Sequence, residues 1–403
     1  MANTELTIGM ITRETSRVLK NTLTFTGHVN RDYDDQFERK GAKIGSVCNI
    51  RKPVRSVYAS GQGLILQDLT ETSVPVTLTT QYQRSFAVTS QELALNIDDF
   101  KTRFLDKHVV SMANQVDDDG LAQFQNVYWE IGVPGTVPNT TDAYLQVAEI
   151  LDNAACPRDD RNVIMSPKMN RNIVGSLAGL FNPQAKVSTQ YVSGLMGRGA
   201  LGFDWFLDQN VGTQTVGPLG GSPTVNATAG QTGASIVTTG WTAAAAKRLS
   251  KGDVFQIAGV FAVNPQNRRS TGRLQDFVVT ADFSSDGSGN GTINISPSII
   301  ISGAFQTVTN APAANAVITV NGAANNASPR GLACHPDAFI FASADLDLPK
   351  GVDMADRVMD DQLKISIRAV RAYDINTDRF PLRLDFLGGW QVFYPELAVR
   401  IPG

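Results

Sequence analysis

The sequence predicts an α+β fold interrupted by a small inserted antiparallel β-barrel, and three observations carry that prediction. A long amphipathic helical pattern runs from Asp98 to Ile131. Strand candidates lie to either side, at Ser46 to Val88 and again at Lys364 to Tyr373 and Leu382 to Tyr394. In between, charge nearly disappears: 11 of the 123 residues from 209 to 331 are charged, against 62 of the other 280. A step of that size marks a separate unit.

In chain order, residues 1–45 are polar, with Arg31, Arg39, Lys40 and Lys43 interleaved with Asp32, Asp34, Asp35 and Glu38, and predict a partly helical arm. From Ser46 to Val88 β-branched and polar residues alternate, and Gly61-Gln62-Gly63 precedes Leu64-Ile65-Leu66, which predicts a long hairpin or extended loop. Thr89 with Glu92 fits a capping box. The helical pattern that follows carries Phe100, Phe104, Leu105, Val109, Met112, Val116, Phe124, Tyr128 and Ile131, and predicts a helix of roughly 45–50 Å at 1.5 Å per residue. Its expected core side is Phe100, Phe104, Met112, Val116 and Phe124. Asp117-Asp118-Asp119 interrupts it and reads as a solvated face, because adjacent helical side chains diverge.

Thr141-Asp142 opens a second helix through Leu145, Ala148, Ile150 and Leu151, closed by Pro157. Val163-Ile164-Met165 predicts a short strand, Ser166-Pro167 a helix start, and Gly199 to Val211 strand again. Gln209 to Ala246 and Gly287 to Pro329 hold no charge at all. Between and within them, Asp253 to Val263, Asp276 to Phe283, Thr292 to Ile301 and Ala316 to Val320 read as strands, with turns at Asp286 to Gly291 and Asn321-Gly322. The divisions that result are 1–45, 46–88, 89–208, 209–331 and 332–403.

Composition excludes several functions. A net charge of -3 over 403 residues provides no general attraction for nucleic acid or an anionic membrane. Cys48, Cys156 and Cys334 are an odd number without C-x-x-C spacing, so neither a disulfide framework nor a zinc ribbon is indicated, and a reducing compartment suits them. The first residues lack a secretory pattern, and no apolar run is long enough to span a membrane. Asp outnumbers Glu 30 to 8, which favours turns. A catalytic nucleophile needs a base within reach, and only His28, His108 and His335 are available. Cys334 and His335 adjoin, yet on an extended chain they face opposite ways. Gly194 to Gly202 and Gly212 to Gly221 fit no phosphate-loop spacing. No enzyme, metal or cofactor is expected. Candidate subunit contacts are Arg51, Arg55, Leu64, Ile65 and Leu66 in the extended segment, and Arg268, Arg269 and Arg273, the basic cluster of the insert.

Three stretches resemble the coat proteins of tailed bacteriophages, specifically the phage P-twenty-two coat-protein family. One runs from Lys251-Gly252-Asp253 through Ile257 to Val260, continuing at Phe277-Val278-Val279 and Ile293 to Pro297. The second is Leu332 to Phe339, and the third Arg368 to Asp374 with Arg383-Leu384-Asp385 and Tyr394 to Ala398. The resemblance implies the Hong Kong 97 capsid fold: N-terminal arm, extended loop at 46–88, a peripheral domain with a long spine helix at 98–131, an axial domain, and an insertion domain at 209–331. It implies hexamers and pentamers of this chain in an icosahedral virion shell around double-stranded DNA, assembled in the host bacterial cytoplasm with scaffolding protein and portal. Packaged DNA would be touched weakly and without sequence specificity. The alternative for the protein, since the insert alone could pass for one, is a β-rich sugar-binding or adhesin-like structural protein.

Overall fold

A computed structural model describes residues 8–31, 47–56, 71–89, 106–177, 196–359 and 364–403. The chain forms two units: Met1–Arg51, Ser73–Gly120 and Phe339–Gln391 make the first, and Lys52–Thr72, Leu121–Ala338 and Val392–Gly403 the second.

In the first unit, helix α1 (Ile8–Thr22) buries Ile11, Thr12, Thr15, Ser16 and Leu19, which share one helical face. Two hydroxyls on that face are satisfied, one within the helix and one across to the sheet: Thr15 Oγ1 donates to the Ile11 carbonyl oxygen at 2.7 Å and Thr12 Oγ1 to Asp356 Oδ2 at 3.1 Å. Strands β1 (Val47–Arg51) and β2 (Ser73–Thr77) pair antiparallel as a two-stranded ribbon. The main sheet uses β3 (Thr80–Thr89) and, far along the chain, β17 (Phe339–Ala344), β18 (Met354–Met359), β19 (Ser366–Arg371) and β20 (Arg379–Val392). Its order is β17-β20-β19-β18, with β3 paired antiparallel to β20 over ten residues. Helix α1 packs on β18 and β19.

Helix α2 (Asp106–Leu121) buries Val109, Met112, Ala113, Val116 and Asp117, a stripe at helical spacing. An aromatic cluster holds this unit together: Phe25 stacks on Trp390 at 5.3 Å and meets Phe339 edge-on at 5.4 Å, and Phe341 lies 4.8 Å from Trp390. Gly120 has to be glycine, since a Cβ there would lie 2.5 Å from Trp390 and 2.9 Å from Phe25.

Two expectations for this helix change. Its α-helical part ends at Leu121, followed by a 3-10 segment (Ala122–Asn126) and strand β4 (Trp129–Glu130). The apolar spacing that ran on to Tyr128 and Ile131 is met by three conformations in succession, each burying its own residues. Residues 98–105, with Phe100 and Phe104, lie outside the described part. Asp117 is also not solvated: it is 2% exposed, and its carboxylate accepts the Thr24 N–H at 2.7 Å, the Thr26 N–H at 2.9 Å and the Thr26 hydroxyl at 2.5 Å. The turn after α1 brings backbone donors to it that the helix's own sequence does not reveal.

In the second unit, β4 joins β5 (Asn162–Met165), β6 (Asp204–Leu207), β16 (Ala327–Cys334) and β21 (Ala398–Pro402) in the order β4-β21-β16-β5-β6. Helices α3 (Thr141–Asn153) and α4 (Pro167–Leu177) cover it. Tyr144, Val147, Ile150 and Leu151 of α3 and Met169 and Ile173 of α4 share a core with Val163, Trp205 and Val399. Leu145, expected on the apolar stripe, is 49% exposed, because Tyr144 and Val147 define the buried face.

The charge-poor stretch contributes β7 (Thr213–Thr215), β8 (Gly221–Val225), β9 (Gly233–Trp241), β10 (Ala246–Leu249), β11 (Val254–Val263), β12 (Ser270–Val279), β13 (Phe283–Ser285), β14 (Gly291–Ile299) and β15 (Ile318–Val320). Six of them make a sheet in the order β15-β11-β12-β14-β9-β8. Its two edges meet through a bridge between Thr224 and Val317 and a 2.9 Å hydrogen bond from the Val225 N–H to the Ala316 oxygen. The result is a near-closed barrel filled by Val225, Ile236, Phe255, Ile257, Phe277 and Ile293. At its neck β7 pairs antiparallel with the start of β16, Thr215 opposite Ala327 and Thr213 opposite Pro329.

Candidate functional site

Where the barrel meets the mixed sheet, charge is concentrated inside the second unit. Glu130 and Arg400 are register partners on the parallel pair β4 and β21, and Arg330 comes from β16. From the barrel side come Asp253 at the foot of β11 and Arg273 and Asp276 on β12. Arg400 Nη2 lies 3.1 Å from Glu130 Oε2 and Arg330 Nε 3.6 Å from the same oxygen. Arg400 Nη1 donates to the Gly252 carbonyl oxygen at 2.7 Å. Arg273 Nη2 lies 3.4 Å from Asp276 Oδ2 and donates to the Glu130 carbonyl oxygen at 3.3 Å.

Neutral donors complete the cluster. Asp276 Oδ1 accepts from Gln256 at 2.6 Å, and Glu130 Oε1 accepts from Asn321 at 2.8 Å. Asp253 accepts the N–H groups of Gly217 at 2.9 Å and Ser250 at 2.8 Å, and the Gln214 amide at 3.2 Å. Three carboxylates thus face three guanidiniums, and Arg400 is fully buried. Burial pushes the carboxyls of Asp253 and Asp276 above the usual range and the guanidiniums of Arg330 and Arg400 below theirs. The opposite charges act against those shifts. Chemically the cluster is an internal clamp: each carboxylate is held by a guanidinium or by neutral donors of the same chain, so it fixes the barrel on the sheet rather than offering an open reactive centre.

Beside the clamp is an open cleft of about 120 Å³, lined by Arg55, Trp129, Arg273, Pro297, Gln306 and Glu396 among others. Arg55 Nη2 pairs with Glu396 Oε1 at 2.6 Å and lies over Phe305 at 5.9 Å. Next to it, Lys52 sits 5.1 Å above Phe393 and 4.7 Å above Tyr394, and burial lowers its pKa.

The predicted contact residues fall into distinct settings. Arg51 is exposed on β1 and Arg269 exposed on the β11–β12 connection. Arg268 is engaged inside the chain, donating to the carbonyl oxygens of Ser56 at 3.0 Å and Ala304 at 2.9 Å. Arg55 and Arg273 are committed as described, and Arg273 lies in strand β12 rather than in a loop. Met112, Val116 and Phe124 are buried. Leu64, Ile65 and Leu66 lie outside the described residues. Cys334 is buried in β16, and burial pushes its thiol up to about 12; at neutral pH it is no thiolate. His335 Nδ1 lies 3.4 Å from Asp337. Among the described residues no group of three His, Cys, Asp or Glu side chains could hold a metal ion, and no helix is long and apolar enough to cross a membrane.

Sequence reasoning missed the clamp. Glu130 and Arg400 stand alone in the sequence as charges in apolar runs, such as Val399-Arg400-Ile401, and Arg330 is the first charge after the uncharged stretch from Gly287 to Pro329; that isolation is the signal that could have revealed it.

A family model described as P22 coat protein, gene protein 5, matches residues 66–403. No curated protein matches. Solved structures similar to the chain include one described as Mycobacterium phage Che8, with 12% identity and a TM-score of 0.47 over 94% of this chain and 90% of that one. A cyanophage P-SCSP1u capsid has 11% identity and a TM-score of 0.45, covering 93% and 86% of the two chains. A bacteriophage PhiM1 mature capsid has 11% identity and a TM-score of 0.45, covering 89% and 82%.

Proposed function

The chain belongs to the P22 coat protein family, and from that premise we propose how its parts divide the work of a phage shell. It is the major capsid protein of a tailed bacteriophage, a structural protein whose copies associate into the multimeric capsid of the virion. The observation that carries this is the family match through residues 66–403. The alternative, a β-rich sugar-binding or adhesin-like structural protein, is not favoured.

Within that function, residues 1–45 act as the arm, 46–88 as the extended loop, 89–208 and 332–403 as the peripheral and axial core of a Hong Kong 97-type subunit, and 209–331 as the inserted barrel. The last is supported by the composition step, which falls close in sequence to the neck formed by β7 and β16. Hexamers and pentamers of the chain enclose double-stranded DNA, with scaffolding protein and portal as partners and assembly in the host bacterial cytoplasm. With a net charge of -3 the DNA contact is weak and without sequence specificity. The chain performs no catalysis and uses no cofactor. Exposed Arg51 and Arg269, together with Leu64, Ile65 and Leu66, serve as contacts between copies.

Expressed with its scaffolding protein, the chain should give closed particles by light scattering and electron microscopy; monomers under every assembly condition would overturn the reading. Residues 209–331 expressed alone should show a β-type circular dichroism spectrum and a cooperative thermal transition, and a random-coil spectrum would reject the insert as an autonomous unit. A third expectation concerns covalent linkage. An isopeptide weld from the extended loop requires a lysine amine there, and Pro53 to Phe100 contains no lysine. Mature particles boiled in detergent should therefore run as one band near 43.3 kDa. A reductant-resistant ladder would contradict this.

A further inference from the structure

Residues 52–56, which follow strand β1 in sequence, belong to the second unit. The Lys52 N–H donates to the Thr72 carbonyl oxygen at 2.7 Å, and Pro53 then has no N–H with which to continue such pairing. Side chains take over the fixing of the chain.

Three cations do this. Lys52 Nζ lies over the rings of Tyr394 and Phe393, at the distances given above. Arg55 pairs with Glu396 and lies over Phe305, a residue of the insert. Arg268, on the β11–β12 connection of the barrel, uses one nitrogen, Nη2, to reach both the Ser56 carbonyl oxygen at 3.0 Å and the Ala304 carbonyl oxygen at 2.9 Å. Its Nη1 donates to the Gln266 carbonyl oxygen, which orients the guanidinium. Arg268 has a φ of 57°, a left-handed conformation that glycine adopts without cost and arginine does not. The turn itself therefore does not call for arginine. What arginine adds there is the reach to Ser56 and Ala304.

We propose that residues 52–56 are a strap by which the inserted barrel and the turn at 393–396 fix the chain at the point where the segment after position 56 begins, with Arg268 as the barrel's grip and the Arg55–Glu396 pair as the second. The bond from Lys52 to Thr72 ties the far end of that segment to the strap, so one fastening holds both ends. The barrel thereby has a task apart from its own folding: it sets the place from which the segment departs. In the coat-protein reading that segment lies in the extended loop, and an anchored base limits the directions in which the loop can reach. The strap goes beyond that reading, because it is a property of one chain.

Trypsin tests it. From position 52 to 83 the only basic residues are Lys52, which trypsin does not cut before Pro53, and Arg55, so the bond after Arg55 is a single reporter of the strap. In the unassembled subunit, Arg268→Gly and Glu396→Gln should each speed cleavage after Arg55 at least about tenfold, read by mass spectrometry, since each removes a charged hydrogen bond that resists local opening. Arg269→Gly, next to the grip, should cleave at the wild-type rate. Cleavage after Arg330, buried in β16, reports opening of the second unit as a whole and should not change. A wild-type rate after Arg55 in either strap variant overturns the inference. Equal acceleration after Arg55 and Arg330 also overturns it, because the strap would then have no opening of its own. A chain that never forms shells would defeat the coat-protein reading and leave these rates unaffected, so the two failures are distinguishable.

Discussion

Replacing Arg400 by methionine should lower the stability of the unassembled subunit by about 3–5 kcal/mol, the range for removing one partner from a buried ion pair. The side chain is fully buried, spans from Glu130 to the Gly252 carbonyl, and has no route to water. With methionine there, Glu130 keeps Arg330 at 3.6 Å and Asn321 at 2.8 Å, and the carboxylates outnumber the guanidiniums three to two in a poorly solvated space. The measurement is the urea midpoint of the subunit. The partner experiment is the Arg400→Met, Glu130→Gln double variant, which should lose clearly less than the sum of the two single losses because the stranded charge is removed with its partner. Additive losses would show that the two residues act independently and that the clamp is not a unit.

The second large effect is at Asp117. Asp117→Ala strips the Thr24 and Thr26 N–H groups and the Thr26 hydroxyl of their acceptor inside the first unit. Unmade bonds of this kind cost about 1–3 kcal/mol each, so a loss of about 3 kcal/mol or more is expected, with the segment after α1 released first. Proteolysis at residues 23–31 should accelerate in the variant, and an unchanged cleavage rate would show that the segment is held by Phe25 and its aromatic partners alone.

Asp117 also sets a pH dependence. Burial, the largest influence, raises its pKa in the fold, while the Thr26 and Thr24 donors oppose the shift. A raised folded-state value means the native state binds the proton more readily than the unfolded chain. The stability that follows from this titration is fully present below the unfolded value, about 4, and is lost as pH rises through the folded value. The stability gap between wild type and Asp117→Asn should therefore narrow as pH is raised from about 4 toward neutrality. A gap that widens over this interval would reverse the assigned direction.

Much of the barrel was legible because its signals are local. Phe255, Ile257 and Ile293, Ile295 alternate with less buried residues at period two, and Asp286 to Gly291 announces its turn by composition. Helices α3 and α4 were legible for the same reason, from Thr141-Asp142 and Ser166-Pro167. What was not legible depends on distant partners. Arg400 and Glu130 are 270 positions apart, and nothing near either says that β21 lies parallel to β4. Asp117 among three acids looked like a wet surface until the turn at Thr24 to Thr26 supplied its donors. The end of α2 was overrun because Phe124, Tyr128 and Ile131 keep a helical spacing that a 3-10 turn and a short strand can also accommodate.

The meeting of Thr224 with Val317 has a further consequence for a molecule made to crowd against its own kind. The barrel is the part of the chain with the fewest charges, and an open strand edge on so neutral a surface would invite strand after strand from other copies to add without limit. Sealing one edge of the sheet against the other leaves no such template between β8 and β15. The barrel is therefore expected to resist strand-by-strand addition between crowded copies at this place.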